Sequence, residues 1–286
     1  MTSMGYLTLN SFAKVNLVLD VLRKRSDGFH QLRTVFERIS LHDTITLRKA
    51  TKINIRCSHP QVPLGPMNLV YKVAQRLRDD FGIKEGVEIT IVKRIPVAAG
   101  LAGGSSNGAT VLLGLNRLWN LGLTKLKLVE YAATFGSDVA FFLYDTSYAL
   151  GQGRGEQIKE LPIKTKLWHV LVTPRVKVYT KDVFACLNLK LTKKRDNASI
   201  LLRFLRENNL YLIGSSLSND LEPAILSLKP YLAHLKEKLI DAGAVGVCFS
   251  GSGPSVFALA ESQKHAESLR AKFDRRFTQV FVVSTY

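Results

Sequence analysis

Apolar residues follow two rhythms along this chain. Over the first fifty positions they crowd together with partial alternation. Residues 6–12, 14–22, 33–40 and 44–48 are rich in Val, Ile, Leu, Thr and Phe and predict strands. Asp27-Gly28 supplies a turn signal between two of these runs. The period then changes, because Leu69, Val70, Val73, Ala74, Leu77 and Phe81 share one face of a helix that Gly82 closes. Strand returns over residues 87–95, and a Gly-rich stretch after it runs directly into an apolar segment over 109–118. Thr124 as N-cap and Gly136 as stop frame a helix over 125–135. Residues 148–161 are turn-rich, and 162–166 read as a hinge.

The second half is patterned differently. A strand is expected over 169–173, a helix over 199–207, and a long helix over 220–241 interrupted near Pro230. Strands over 245–249 and 256–260 flank a second Gly-rich turn, Ser250-Gly251-Ser252-Gly253-Pro254-Ser255. A helix over 264–273 and a strand over 279–284 complete the pattern. The fold class is α+β in two halves, residues 1–160 and 161–286.

Charge narrows the partners. Lys and Arg total 40 against 23 Asp and Glu, a formal charge of +17, which draws polyanions. The basic residues are scattered, and the densest run, Lys193-Lys194-Arg195, has no interleaved aromatics. Phosphorylated small molecules are therefore the expected partners, rather than nucleic acid. Cys57, Cys186 and Cys248 stand far apart and in no metal-ligand spacing, which suits a reducing compartment and argues against a disulfide framework. Residues 1–10 lack a basic segment followed by an apolar core. The uncharged run 95–116 holds five glycines, two serines and two asparagines, too many for a membrane span. The expectation is a cytoplasmic protein with no membrane partner; no pattern sets an oligomeric state.

The strongest chemical signal is Pro96-Val97-Ala98-Ala99-Gly100-Leu101-Ala102-Gly103-Gly104-Ser105-Ser106, between a strand and a helix. Small residues let backbone approach an anion, and the N–H groups at a helix start bind phosphate. Ser105 and Ser106 add hydroxyls for phosphate oxygens or Mg²⁺. The spacing matches neither G-x-x-x-x-G-K-[ST] nor G-x-G-x-x-G, which excludes the common P-loop and weakens a dinucleotide reading. The same residue types also suit a packing turn under a helix.

This loop resembles the second motif of the GHMP kinases (galactose, homoserine, mevalonate and phosphomevalonate kinases). Ser11-Phe12-Ala13-Lys14-Val15-Asn16-Leu17 resembles their first motif, and Phe249-Ser250-Gly251-Ser252-Gly253-Pro254-Ser255-Val256-Phe257 their third, in the same order. The resemblance implies a two-domain fold: an N-terminal domain like ribosomal protein S5 and a C-terminal ferredoxin-like α/β plait. It also implies ATP with Mg²⁺ and transfer of the γ-phosphoryl group to a hydroxyl of a small molecule.

Within that family, Arg25-Ser26-Asp27-Gly28-Phe29-His30, Phe135-Gly136-Ser137-Asp138-Val139-Ala140-Phe141-Phe142, Gly153-Arg154-Gly155-Glu156 and Ser218-Asn219-Asp220-Leu221-Glu222 resemble members acting on a cytidine diphosphate polyol in isoprenoid synthesis. The alternatives are a homoserine- or mevalonate-type kinase, or a non-catalytic nucleotide- or nucleic-acid-binding module on the same fold.

By that resemblance Asp138 is the base for the attacking hydroxyl, although an Asp just past Gly136 also suits a helix cap. Lys14 supplies positive charge beside it, and a lysine pointing outward from an edge strand is the other reading. Asn16 holds the polyol. Phe29 and His30 grip cytosine, against ordinary core packing for Phe29, and Thr180 and Phe184 belong to the facing wall. No protein ligand set for a metal is expected. Ala98 and Ala102 stand where the family often has glycine, so negative φ angles are expected there.

Overall fold

The computed structural model describes residues 5–189, 196–273 and 278–286. The run Lys193-Lys194-Arg195 lies outside them. In chain order the strands and helices are β1 (Tyr6–Lys24), β2 (His30–Ala50), β3 (Asn54–Cys57), α1 (Leu69–Asp80), β4 (Gly86–Val92), α2 (Gly103–Leu118), α3 (Lys125–Phe135), β5 (Tyr148–Gly153), β6 (Gln157–Leu161), β7 (Trp168–Pro174), α4 (Thr180–Ala185), α5 (Asn197–Arg206), α6 (Leu210–Ser216), β8 (Ser218–Asn219), α7 (Glu222–Leu228), α8 (Ala233–Asp241), β9 (Gly246–Phe249), β10 (Val256–Ala260), α9 (Gln263–Arg270) and β11 (Thr278–Ser284). They form two compact units that interleave in sequence.

The first unit comprises Met1–Ala13, Leu41–Val97 and Ala102–Asp145. Its sheet runs β3-β4-β2-β1. Antiparallel pairing sets Thr44 opposite Val92 and Ala50 opposite Gly86, and parallel pairing sets Asn54 opposite Glu88. Helix α1 forms where the 3.6-residue period predicts it. Asn68 caps it by accepting the Val70 amide at 3.0 Å, and Val70, Val73, Ala74 and Leu77 are buried. Burying each of the larger side chains among them stabilises by about 1.5–3 kcal/mol. Thr124 caps α3, as its position suggests. Helix α2 starts earlier than the apolar pattern alone implies, because the Gly103-Gly104 pair is its first turn.

The second unit comprises Lys14–Ser40, Ala98–Leu101 and Thr146–Tyr286. One sheet has the order β6-β5-β2-β1-β8, with β8 parallel to β1. The other is antiparallel, β11-β7-β10-β9. Val170, Val172, Phe249, Val256, Ala258, Ile225, Leu239 and Leu269 pack a common core in this unit.

Two expectations change and one is met. Residues 148–161 form the hairpin β5–β6 rather than an irregular stretch; Gly151 pairs within it opposite Ile158, and glycine fits there because a Cβ would lie 2.5 Å from the Phe36 ring. The helix over 220–241 is interrupted at Pro230 as expected, giving α7, a 3₁₀ turn over Pro230–Leu232, and α8. Pro230 lacks the N–H that an uninterrupted helix needs, whereas Pro223 sits in the first turn of α7, where no helical partner for an N–H exists. Ala98 and Ala102 both have φ of +54°, not negative values.

Candidate active site

In the first unit, the chain leaves β4 through Lys93-Arg94-Ile95 and is pinned there by Asp43. One oxygen of this fully buried carboxylate accepts the Arg94 and Ile95 amides at 2.7 and 2.8 Å. The other accepts the Asn107 amide group at 2.8 Å and pairs with the Lys93 ammonium. Asn107 also donates to Ser11 Oγ at 2.8 Å, and Ser11 shares a 2.7 Å hydrogen bond with Ser106. The hydroxyl of Ser106 is thus engaged inside the unit, while Ser105 is half-buried and Gly104 exposed. Asp43, Lys93 and Asn107 were not singled out by sequence.

No side chain caps α2, because Ala102 holds the N-cap position in the left-handed conformation. The start of such a helix offers unsatisfied N–H donors and positive potential, the physical requirement for an anion site. Pro96 and Val97 precede it in the same unit. Asp138 is also here. It is half-buried in the first turn of the 3₁₀ segment Ser137–Leu143, whose next residues, Val139, Ala140 and Phe141, are buried. These anchor a carboxylate near the surface.

In the second unit, Lys14 is only 4% exposed despite its charge. Its ammonium donates to Asn16 Oδ1 at 2.6 Å and lies 5.1 Å from the centre of the Phe36 ring. Asn16 donates in turn to Thr34 Oγ1 at 2.7 Å, and Thr34 to the Val18 carbonyl at 2.6 Å. A buried lysine with such a partner is held in one place rather than moving freely in solvent.

Ala98, Ala99, Gly100 and Leu101 belong to this unit, and the third motif braces them. Ser250 Oγ donates to the Gly100 carbonyl at 2.9 Å, and the Ser255 amide to the Ala99 carbonyl at 3.4 Å. Gly251 comes so near the lysine that a Cβ built on it would lie 3.6 Å from Lys14 Nζ and 3.4 Å from Asn16 Oδ1. Asn219 secures that turn, donating to the Phe249 and Gly251 carbonyls at 3.0 and 2.7 Å. Its part is invisible in sequence because its partners lie thirty residues away.

The aromatic candidates meet in this unit too. The His30 ring stacks on Phe184 with centroids 5.0 Å apart and planes at 26°. Desolvation, with the Lys24 charge, holds the His30 imidazole below its usual range, which favours the neutral ring. Thr180 Oγ1 shares a 2.9 Å hydrogen bond with Ser252 Oγ of the third motif. Phe29 is 52% exposed and so does not belong to the core.

The three motifs that supply these features, in their order along the chain, are those of a small-molecule kinase of the GHMP class. Residues 68–146 match the model for the GHMP kinases N terminal domain, and residues 201–279 the model for the GHMP kinases C terminal. The chain is 38% identical to a 4-diphosphocytidyl-2-C-methyl-D-erythritol kinase of Alkaliphilus oremlandii, covering 99% of this chain and 98% of that one. It is 42% identical to the protein of that name in Pelobacter propionicus, covering 94% and 95%. A crystal structure of 4-(cytidine 5'-diphospho)-2C-methyl-D-erythritol kinase superposes with a TM-score of 0.83 at 31% identity, covering 97% and 98%. A homoserine kinase from Cytophaga hutchinsonii shares the fold, with a TM-score of 0.78 at 24% identity. The chain belongs to the 4-diphosphocytidyl-2-C-methyl-D-erythritol kinase family of GHMP kinases.

Proposed function

We propose that this chain transfers the γ-phosphoryl group of ATP to the C2 hydroxyl of 4-diphosphocytidyl-2-C-methyl-D-erythritol, a step of non-mevalonate isoprenoid synthesis. Full-length similarity to kinases of that name carries the reading. The phosphates of ATP lie along Pro96 to Ser106, with the start of α2 supplying N–H donors. Asp138 accepts the proton of the attacking hydroxyl as its oxygen bonds to phosphorus, and ADP leaves. Lys14 supplies positive charge to the oxygens of the transferring group, and Asn16 orients the polyol. Positioning and charge neutralisation provide most of the rate in phosphoryl transfer. Phe29, His30, Thr180 and Phe184 form the cytosine pocket, where a neutral His30 can both donate and accept hydrogen bonds.

Mg²⁺ belongs to this reading. Among the described residues no cluster of three or more His, Cys, Asp or Glu could hold a metal. On this reading the ion would be carried on phosphate oxygens, as Mg²⁺ commonly is, with the Ser105 hydroxyl as a further oxygen of the loop. When bound it neutralises phosphate charge. We further assign the chain to the cytoplasm, since Cys57, Cys186 and Cys248 stand far apart in sequence, as suits a reducing compartment. Division into domains at about residue 160 suits the two family matches, which fall on either side. The test is ADP release with the cytidylyl substrate, with homoserine, with mevalonate and with no acceptor. Turnover should require the cytidylyl compound; equal turnover with another acceptor would overturn the assignment.

A further inference from the structure

Gly153-Arg154-Gly155-Glu156, the turn between β5 and β6, has no part in the chemistry so far. Its arginine does not project idly into solvent. The guanidinium carbon of Arg154 lies over the Phe29 ring, 4.8 Å from its centroid. Glu156 folds back beneath the turn, accepting the Arg154 amide at 2.6 Å, with its other oxygen 3.9 Å from Arg154 Nε. Gly153 makes room for that carboxylate: its φ is +72°, and a Cβ there would lie 2.8 Å from Glu156 Oε1.

Phe29 is fixed from its own side as well. Asp27 accepts the Phe29 amide at 3.1 Å and forms an ion pair with Arg25 at 2.9 Å. The Asp27 carboxyl sits below its ordinary range, first through the Arg25 hydrogen bond, and the charge of Arg154 acts in the same direction. Two turns thus converge on one aromatic ring that the core does not claim.

We propose that Arg154 is a positioning residue for nucleobase binding, its guanidinium covering one face of Phe29 so that cytosine stacks on the other. The inference rests on the reading of Phe29 as the cytosine platform. A planar cation against the ring's negative face holds it by electrostatic attraction and stacking. The base then meets a surface whose ordering is already complete, which lowers the cost of binding. The Gly-Arg-Gly-Glu run acquires a purpose: the first glycine admits Glu156, Glu156 orients Arg154, and Arg154 orients Phe29.

The experiment compares the full-length protein with Arg154→Met, Phe29→Ala and the double variant. KM is measured for the cytidylyl substrate and for ATP, together with the melting temperature. Arg154→Met should raise the substrate KM by about 2- to 30-fold, leaving the ATP KM and the melting temperature near wild type. On a Phe29→Ala background it should add nothing further. An undiminished effect on that background would mean that Arg154 touches the substrate directly, and would overturn the positioning role. A raised KM in Phe29→Ala with an unchanged KM in Arg154→Met, whatever its melting temperature, would overturn the inference and leave the platform standing. An unchanged KM in Phe29→Ala would remove the platform, and the inference with it. Should Phe29→Ala melt early, Phe29→Leu takes its place, keeping apolar bulk without an aromatic face.

Discussion

Gly103 and Gly104 are neighbours in the first turn of α2, yet a single methyl group should have opposite effects at the two. A Cβ built on Gly104 meets nothing within 4 Å. On Gly103 it would lie 2.9 Å from both Lys93 Nζ and Ile95 Cγ2. Lys93 cannot simply swing away, since its side chain is 5% exposed and paired with the fully buried Asp43. Gly104→Ala exchanges a poor helix residue for the best one, a gain of about 0.5–1 kcal/mol, or about 1–4 °C in melting temperature. The same methyl occupies the open side of the helix start, where on the proposed reading a phosphate approaches the N–H groups. Losing one charge-assisted hydrogen bond, worth about 1.5–3 kcal/mol, would raise the ATP KM by about 10- to 150-fold. Gly103→Ala should instead destabilise, up to the roughly 3–5 kcal/mol that follows when a buried ion pair loses one partner. Thermal melting and KM values for ATP and for the cytidylyl substrate separate the two. A Gly104→Ala protein with normal ATP KM would exclude phosphate from this helix start. A Gly103→Ala protein as stable as wild type would show that the Lys93–Asp43 pair gives way freely.

Asp138→Asn should fold and bind ATP normally while kcat falls about 10²-fold or more, the scale of a lost general base; turnover near wild type would take Asp138 out of that role. Ala98→Gly and Ala102→Gly should each stabilise by up to about 1 kcal/mol, because a left-handed alanine costs roughly 1–2 kcal/mol and the greater freedom of unfolded glycine offsets part of it; chemical denaturation of each variant checks this. Asp20 is buried and its carboxyl is pushed up to about 6, first by desolvation and then by Asp220 and Asp196, against the Asn197 hydrogen bond. Its folded value is raised, so its contribution is fully present below about pH 4 and is lost as pH rises through 6. Asp20→Asn should flatten that decline and exceed wild type at pH 8 by at most about 3 kcal/mol; parallel stability–pH curves for the two proteins would contradict it.

What the sequence reveals of this site depends on how far apart the cooperating residues lie. The loop from Pro96 to Ser106 is legible because strand, small residues and helix follow one another directly, and α1 because Val70, Val73, Ala74 and Leu77 repeat within three turns. The aromatic pair His30 and Phe184 was reachable only through family resemblance, since 154 positions separate residues that stack at 5.0 Å. Asp43 was missed altogether: its partners Arg94, Ile95 and Asn107 are 51, 52 and 64 positions away, and nothing near Asp43 announces them. Asn219 was read only as part of a motif, its bracing role hidden for the same reason, since its carbonyl partners are 30 and 32 positions distant.

The left-handed alanines failed differently. Backbone conformation at Ala98 was inferred from residue type, whereas the surrounding structure sets it: Ser255 and Ser250 hold the carbonyls of Ala99 and Gly100 just beyond it. Tertiary hydrogen bonds of about 0.5–1.5 kcal/mol each can together outweigh a local preference of roughly 1–2 kcal/mol. Side chains that carry chemistry announce themselves by type, because few groups can accept a proton or offset phosphate charge. Those that hold them in place are ordinary Asp, Asn and Ser residues, distinguished only by where the folded chain puts their partners. Arg154 stands between the two cases: its motif is visible in sequence, but its purpose emerges only when Phe29 lies beneath it.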